Sequence, residues 1–205
     1  MAEIVTRPAR PEDAAHMARL ADLAGEGLPS HLWARIAEPG ESVWEVGARR
    51  AARDEGAFSW RRALIAEAEG RVAGLVIDYP MPEAPEPPEG LPPLARPLQA
   101  LENRAPGARY VNMLAVYPAF RRRGVAARLM AAAAARGAGT GAAELALIVA
   151  DGNAGARAFY AAEGFAERAR LPLVAEDWKT ENRAWILLVR PLPAPEALAF
   201  SRERA

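Results

Sequence analysis

The sequence predicts an α/β (α+β) domain in which apolar strands alternate with helices. The stretch from Tyr110 to Gly137 contains both kinds of element: a mostly apolar run ends at Val116, and an alanine-rich segment begins at Val125. Strand-favouring residues followed by a Tyr-Pro pair predict a buried strand in the first part. Apolar residues at three- and four-residue spacing predict a helix with one buried stripe in the second.

The amino-terminal part predicts one short strand and several helices. The strand covers 4–6, and a helix opens at 10–13, where a proline and two acidic residues favour a first turn. Two more helical segments, 29–37 and 42–53, follow. The first helix has an apolar stripe made of Met17, Leu20, Leu23 and Ala24. Four aromatic residues concentrate in this region and predict core packing rather than an apolar acceptor pocket: Trp33, Trp44, Phe58 and Trp60.

The middle of the chain predicts a β-hairpin and then a proline-rich insert. Two strand-like runs, 61–69 and 71–79, meet at Gly70. The insert at 80–108 holds half of the 18 prolines, so regular structure is expected only around 94–103. Its leucines offer apolar surface to bury, which favours an acceptor-side lid or a dimer contact over a disordered loop.

The remaining elements complete a single domain. Further strands are predicted at 144–150 and 183–189, with a helix after the first of them. We expect one domain over residues 1–190 and a C-terminal tail at 191–205, since 205 residues suit one core.

The composition excludes several classes of function. Acidic and basic residues balance at 26 each, which gives no basic footprint for nucleic acid and no polybasic patch for a membrane. There is no cysteine, which excludes disulfides, thiolate metal sites and a cysteine nucleophile. His16 and His31 are too few and too scattered for a metal site, so none is expected. No leader and no apolar run long enough for a bilayer is seen, which predicts a cytoplasmic protein.

The turn between the central strand and helix carries the strongest functional signal. Arg121, Arg122 and Arg123 precede Gly124 where the positive end of a helix dipole would repel them, unless an anion is bound. A glycine allows close backbone approach, and free N–H groups at a helix start bind phosphate. The alternative is a solvated arginine run in a chain of biased, bacterial-type composition, with Lys179 as its only lysine. Neither a Rossmann glycine motif nor a P-loop is present.

This stretch resembles the GNAT superfamily of N-acetyltransferases. Arg121-x-x-Gly124-x-Ala126 fits the family's acetyl-CoA pyrophosphate signature, [Q/R]-x-x-G-x-[G/A], just after a strand. The resemblance extends to the strand 144–150 and to the helix that starts near Asn153. It implies a mixed, mostly antiparallel twisted sheet flanked by helices, with splayed central parallel strands.

The resemblance also implies acetyl-CoA as co-substrate, with no metal. Expected cofactor contacts lie on the central strand, in the arginine turn, in the first helical turn and on the following helix. They are Leu114, Ala115, Val116, Arg121, Arg122, Arg123, Gly124, Val125, Ala126, Ala127, Asn153, Arg157 and Tyr160. Asn153 is in addition a natural helix N-cap, and Tyr160 has packing beside Phe159 and Phe165 as its alternative role.

Acetyl transfer to an amine needs a base, an oxyanion donor and an acid. A primary amine with a pKa near 10 is protonated at neutral pH, which costs roughly 4 to 5 kcal/mol. Glu67 is the carboxylate we select as base, with Asp78 and Glu102 as others, while Asn112 could orient a water. A backbone N–H near Leu114 would bind the oxyanion, and Tyr160 would protonate the thiolate.

The sequence thus predicts an enzyme that moves an acetyl group by direct attack of a primary amine. The acceptor is expected to be a small molecule or an amino-acid derivative, because a neutral chain suits a basic protein tail less well. The alternative is a catalytically silent CoA-binding protein of regulatory or structural function, which the lack of an obvious base keeps open. The family's habits and the insert also suggest a homodimer.

Overall fold

The structure, a computed structural model, describes residues 3–193. Within them the chain forms seven strands and six helices. Short 3₁₀ turns cover Pro11–Asp13, Trp60–Arg62 and Pro118–Phe120. The strands and helices, in order, are β1 (Ile4–Pro8), α1 (Ala14–Ala24), α2 (Leu28–Ala34), α3 (Val43–Ala51), β2 (Ala63–Ala68), β3 (Arg71–Pro80), α4 (Arg96–Glu102), β4 (Arg109–Val116), α5 (Val125–Gly139), β5 (Glu144–Ala150), α6 (Ala154–Ala162), β6 (Ala166–Pro172) and β7 (Ala184–Pro191).

The strands form a seven-stranded sheet in the order β1-β2-β3-β4-β5-β7-β6. Pairing is antiparallel for β1 with β2, β2 with β3, β5 with β7 and β6 with β7. The β4–β5 pair is parallel, and its register consists of Arg109 opposite Leu145 and Tyr110 opposite Ala146. The predicted fold class, a mostly antiparallel sheet with a central parallel pair and flanking helices, is therefore confirmed.

The described chain divides into two compact units, residues 3–79 with 112–133 and residues 80–111 with 134–193. The core of the first unit lies between its strands and α1 to α3. The predicted core role is confirmed for Trp33 and Phe58, which are buried and stack with ring centroids 5.7 Å apart. Trp44 and Trp60 are half-buried and pack against this core. Leu23, predicted in the α1 stripe, is instead exposed, and Ala18 and Ala21 are buried with Met17 and Leu20.

Two glycines shape the β2–β3 hairpin and the packing of α5 on it. The two-residue turn Glu69-Gly70 has φ of 55° and 67°, the left-handed pair that matches the twist of a tight hairpin. On β3, a Cβ at Gly74 would lie 2.7 Å from the Ala115 carbonyl oxygen and 3.2 Å from Val125 Cγ1. The absence of a side chain there lets the first turn of α5 sit close to the sheet.

The second unit contains one strand that the sequence did not predict. β6 pairs with β7 along a register from Ala166 opposite Val189 to Pro172 opposite Ala184. Its burial pattern is mostly exposed, because it is an edge strand whose charged residues face solvent. The final strand is longer than predicted, since it continues to Pro191 and the Leu192 N–H donates to Ala143 O. The rest of the predicted tail, 194–205, lies outside the described residues.

The proline-rich insert is ordered around a short helix. Regular structure occurs at α4, inside the 94–103 range that the sequence favoured, and α4 packs against β5, β6 and β7. Leu94 and Leu101 are buried. The Asn103 side chain accepts from the Glu86 N–H (3.0 Å) and donates to the Glu86 carbonyl (2.7 Å), which ties the loop to the helix end. Within residues 3–193, no helix combines the length and apolar character needed to cross a bilayer.

Candidate functional site

The turn between β4 and α5 is built from two residues in left-handed backbone conformation. Arg122 has φ of 59° and Gly124 has φ of 86°. A Cβ at Gly124 would meet no atom within 4 Å, so the conformation rather than crowding favours glycine there. Before the turn, the Arg121 Nε donates to the Val116 carbonyl at 3.3 Å. This geometry folds the chain back from the strand end into the first turn of α5.

The three arginines of the turn differ in their partners. Arg123 is bound to the carboxylate of Glu69, in the β2–β3 hairpin turn, and its guanidinium lies 5.4 Å from the centre of the Phe120 ring. Arg71 Nη2 lies 3.3 Å from Glu69 Oε2. Arg123 and, to a smaller extent, Arg71 hold the pKa of the Glu69 carboxyl below its usual value. Arg121 and Arg122 have no carboxylate partner among residues 3–193 and are exposed. Two of the three cations are therefore open to an external anion.

The start of α5 adds backbone donors to these cations. The Arg128 N–H donates to Gly124 O at 3.0 Å, and this is the first bond of the helical i to i−4 series. The N–H groups of Val125, Ala126 and Ala127 precede that bond, so the helix itself gives them no acceptor. Val125 is buried against the sheet, whereas the two alanines are half-buried and add little bulk. A helix start with free N–H groups and adjacent cations is suited to bind an anion.

The end of β4 lies in the same unit as the turn. Leu114 and Val116 are half-buried and Ala115 is buried, and the N–H of the next residue, Tyr117, donates to Ala73 O at 2.9 Å. Asn112 is half-buried on the same strand, and among residues 3–193 its side chain has no hydrogen-bond partner. Its amide is therefore free to bind water or a ligand group.

Glu67 is held in an ion-pair network on β2. Its carboxylate accepts from the Arg7 Nε at 2.7 Å, and the same guanidinium binds Asp13 through Nη1 and Nη2 at 2.7 and 2.9 Å. Arg7 lowers the pKa of Asp13. The Glu67 carboxylate is therefore already occupied by Arg7, and this geometry makes it less available to an acceptor amine.

In the second unit, Asn153 is the N-cap of α6. Its Oδ1 accepts from the Ala156 N–H at 3.0 Å, which is the N-cap contact that its position predicts. Arg157, one turn later, donates to the Asp151 carbonyl at 3.1 Å and is exposed. The Arg183 N–H donates to Asp151 Oδ1 at 2.9 Å, and this hydrogen bond is the main cause of the lowered pKa of Asp151. The loop that precedes α6 is thus fixed by its own hydrogen bonds.

Tyr160 lies in an aromatic cluster of the second unit. Its ring meets Phe159 and Phe165 edge-on, with centroids 5.5 and 5.7 Å apart. Burial raises the pKa of Tyr160 to about 12, so the hydroxyl stays protonated at neutral pH and remains a hydrogen-bond donor. The packing alternative considered from the sequence is thus present, and it is compatible with a donor role.

Glu102 is the described carboxyl group whose pKa the structure raises most clearly toward neutrality. It lies at the end of α4 and is hydrogen-bonded to Tyr110, and burial, with a smaller contribution from Glu86, raises its pKa to about 7. The sequence offered Glu102 as one of several bases, but it gave no sign of this burial. Residues 3–193 contain no group of three or more His, Asp or Glu side chains that could hold a metal ion.

Comparisons with known proteins agree with this fold. Residues 30–165 match the model of the acetyltransferase (GNAT) family. An acetyltransferase crystal structure is 20% identical over 92% of this chain and 100% of its own, with a TM-score of 0.64. An N-acetyltransferase from Staphylococcus aureus Mu50 is 19% identical over 91% of this chain and 100% of its own (TM-score 0.60). The ribosomal-protein-S18-alanine N-acetyltransferase from Escherichia coli is 16% identical over 93% and 94% (TM-score 0.57).

The search of curated proteins found no match. At these identities the structural likeness establishes the fold. The family model spans about two thirds of the sequence, including β4, the arginine turn and α6. The chain therefore belongs to the acetyltransferase (GNAT) family, whose members are acyltransferases that use acetyl-CoA.

Proposed function

We propose that this chain binds acetyl-CoA with its pyrophosphate at the start of α5 and transfers the acetyl group by direct attack of a primary amine. The observation that carries the proposal is the left-handed turn at Arg122 and Gly124. It leaves Arg121 and Arg122 without carboxylate partners among residues 3–193, next to unused helix N–H groups. The acceptor in this proposal is a small molecule or an amino-acid derivative.

Direct attack is supported by the composition. The chain has no cysteine, so no acyl-enzyme can form on a thiol. In the proposed reaction the amine nitrogen attacks the thioester carbonyl, and a backbone N–H of Leu114 to Val116 stabilises the oxyanion. Asn112 is the candidate to orient a water beside the acceptor amine, because its amide has no partner among residues 3–193. Glu67 is a weaker candidate because Arg7 binds its carboxylate.

Tyr160 has a more limited role in this proposal than full proton transfer. A phenol with a pKa of about 12 gives its proton to a thiolate with a pKa near 8.5 only at a cost of about 5 kcal/mol. A hydrogen bond to the departing sulfur carries no such cost. We therefore assign Tyr160 the role of hydrogen-bond donor to the leaving thiolate, with the final proton coming from solvent.

The acceptor class needs a direct test. The E. coli neighbour is named for an alanine of a ribosomal protein, so a peptide amine is the alternative acceptor. The balanced charge of this chain, with 26 acidic and 26 basic residues, supports a small acceptor over a strongly basic protein. The homodimer and the cytoplasmic location remain predictions from the sequence.

The proposal is tested by calorimetric titration of acetyl-CoA into wild type, Gly124→Glu and Gly40→Glu. Both glycines have φ near 87°, and a Cβ at either would meet no atom within 4 Å, so both substitutions carry the same backbone cost of about 1 to 2 kcal/mol. Only Gly124→Glu adds a carboxylate at the proposed pyrophosphate position. We expect wild type and Gly40→Glu to bind acetyl-CoA, and we expect Gly124→Glu to lose this binding.

Two results would contradict the proposal. Equal binding by all three proteins would show that the cofactor does not bind at the turn. No binding by wild type would show that acetyl-CoA is not the cofactor. Wild type that binds acetyl-CoA is then assayed for CoA thiol release with an alkylamine, an aminoalcohol, an amino acid and a tetrapeptide. Binding without turnover of any of these would favour the silent CoA-binding alternative.

A further inference from the structure

A histidine–tyrosine pair joins α1 to the residue that follows β4, within the first unit. The His16 Nδ1 lies 2.9 Å from the Tyr117 hydroxyl oxygen, although 101 positions separate the two residues. The rings meet edge-on, with centroids 5.8 Å apart and planes at 72°. His16 is exposed, so the pair opens to solvent and can exchange protons with it.

The position of Tyr117 places the pair at the strand end that leads into the arginine turn. Its N–H donates to Ala73 O at 2.9 Å, and its half-buried ring packs against the core of the first unit. It directly follows Val116 and stands four residues before Arg121. The body of Tyr117 is therefore fixed, and its hydroxyl is held by His16 at the same end of β4 as the proposed cofactor contacts.

The charges around the pair are Arg19 and Asp13. The Arg19 guanidinium lies 3.8 Å from the centre of the Trp44 ring and has no carboxylate partner among residues 3–193. Burial raises the pKa of Tyr117, and the charge of Arg19 opposes that effect. Asp13 is neutralised by the two-pronged contact with Arg7, at 2.7 and 2.9 Å.

Helix α3, which packs against α1, directs its charges elsewhere. Glu45 accepts from the backbone N–H of Ser42 at its own helix start (2.8 Å), and Arg49 is paired with Glu41 (2.9 Å). The pair therefore combines a phenol near a cation with a histidine that is exposed to solvent.

We propose that Tyr117 and His16 form the proton-accepting pair for the acceptor amine, an inference that rests on the proposed function. Tyr117 is the catalytic residue, since its hydroxyl meets the ammonium, and His16 is a positioning residue that acts through it. The ammonium N–H passes its proton to Tyr117 Oη as the phenol proton moves to His16 Nδ1. The products are a neutral amine and an imidazolium, which loses its proton from Nε2 to solvent.

The chemistry of the two side chains suits this transfer. The relay moves a proton net from an alkylammonium with a pKa near 10 to an imidazole with a pKa near 6.5, at a cost of about 5 kcal/mol, which is comparable to the cost of deprotonating the amine at neutral pH by any route. An imidazole with a pKa near 6.5 exchanges protons with water at neutral pH. The hydrogen bond survives in both states, because neutral Nδ1 accepts from the phenol and protonated Nδ1 donates to it.

The test is the pH dependence of kcat/KM for acetyl transfer to whichever of the four amine acceptors reacts fastest. Tyr117→Phe removes only the hydroxyl, and His16→Gln removes the imidazole ring from an exposed position. His31→Gln is the control, because His31 is the only other histidine of the chain. Acetyl-CoA affinity by calorimetry and thermal unfolding are measured for each protein, so that a folding defect or a cofactor defect is recognised.

We expect the pH profiles of wild type and His31→Gln to show an inflection in addition to the rise that the amine itself produces. Tyr117→Phe and His16→Gln should lose that inflection and about 100-fold in kcat/KM near neutral pH, with acetyl-CoA affinity within about twofold of wild type. Unchanged profiles in both variants would overturn the pair's role. Failure of wild type to bind acetyl-CoA would instead overturn the proposed function.

Discussion

Among the three arginines of the turn, only Arg123 is paired with a carboxylate, and this difference leads to a specific prediction about acetyl-CoA affinity. Arg121→Gln and Arg122→Gln each remove a cation that has no carboxylate partner among residues 3–193. Arg123→Gln alone would leave the Glu69 carboxylate beside the site with Arg71 as its remaining partner, so the Arg123–Glu69 pair is removed together in Arg123→Gln/Glu69→Gln. The double variant keeps the net charge of the turn and its neighbour unchanged.

The expected magnitudes follow from the exposure of these groups. Two unit charges 4 Å apart interact by about 1 kcal/mol in water and by about 4 kcal/mol at a protein surface of intermediate dielectric constant. Arg121 and Arg122 are exposed, so a value near the lower end applies to each, about 1 to 1.5 kcal/mol, or roughly 5- to 10-fold in affinity. For the double variant we expect less than about twofold, because surface ion pairs contribute about 0 to 1 kcal/mol.

The assay is calorimetric titration of acetyl-CoA at low and high salt, with circular dichroism to check the fold. The losses in Arg121→Gln and Arg122→Gln should shrink at high salt, because the screening length falls to about 3 Å at 1 M. The double variant should resemble wild type at both salt concentrations. If removal of the Arg123–Glu69 pair weakened acetyl-CoA binding as much as either single change, the assignment of the two unpaired arginines to the cofactor would be refuted.

Three other changes have defined outcomes. The pKa of Glu102 is raised from its usual 4.5 to about 7. Between these two pH values the folded chain keeps a proton that the unfolded chain loses. The free energy of unfolding therefore falls by up to about 3 kcal/mol as the pH rises through this window. Urea unfolding should show this fall in wild type and not in Glu102→Gln; a flat wild-type profile would contradict it. Gly74→Ala should lower the free energy of unfolding by about 1 to 3 kcal/mol through its clash with Ala115 O, whereas Gly155→Ala, in open space, should not. Tyr160→Phe should lower kcat about 10- to 100-fold at unchanged acetyl-CoA affinity, and an unchanged kcat would leave Tyr160 only its packing role.

The predictable parts of the fold are those that nearby residues determine. The hairpin follows from two strand-like runs around a Glu-Gly turn, and β4, its turn and α5 follow from apolar spacing and a glycine. The edge strand β6 was missed because alternating charges on an exposed strand resemble a loop. Leu23 was placed in a buried stripe because spacing alone cannot show where the core ends.

The parts that could not be predicted depend on residues distant in sequence. Arg123 meets Glu69 across 54 positions, and His16 meets Tyr117 across 101. A carboxylate such as Glu67 looks like a free base until the fold places Arg7 beside it. These pairings decide which charged groups are open to a ligand, and no local pattern reports them.

The arginine turn shows why this distinction matters for function. Arg122 and Arg123 are identical neighbours, and the sequence gives both the same expected role. The fold separates them: Arg122 adopts a left-handed conformation and remains exposed, while Arg123 is bound by a carboxylate that a tight hairpin turn holds next to it. In a chain with 26 basic residues and a strong preference for arginine, a cation therefore indicates a ligand only after the carboxylates that the fold brings to it have been counted. By that count, the anion site that we propose for this chain consists of Arg121, Arg122 and the first N–H groups of α5.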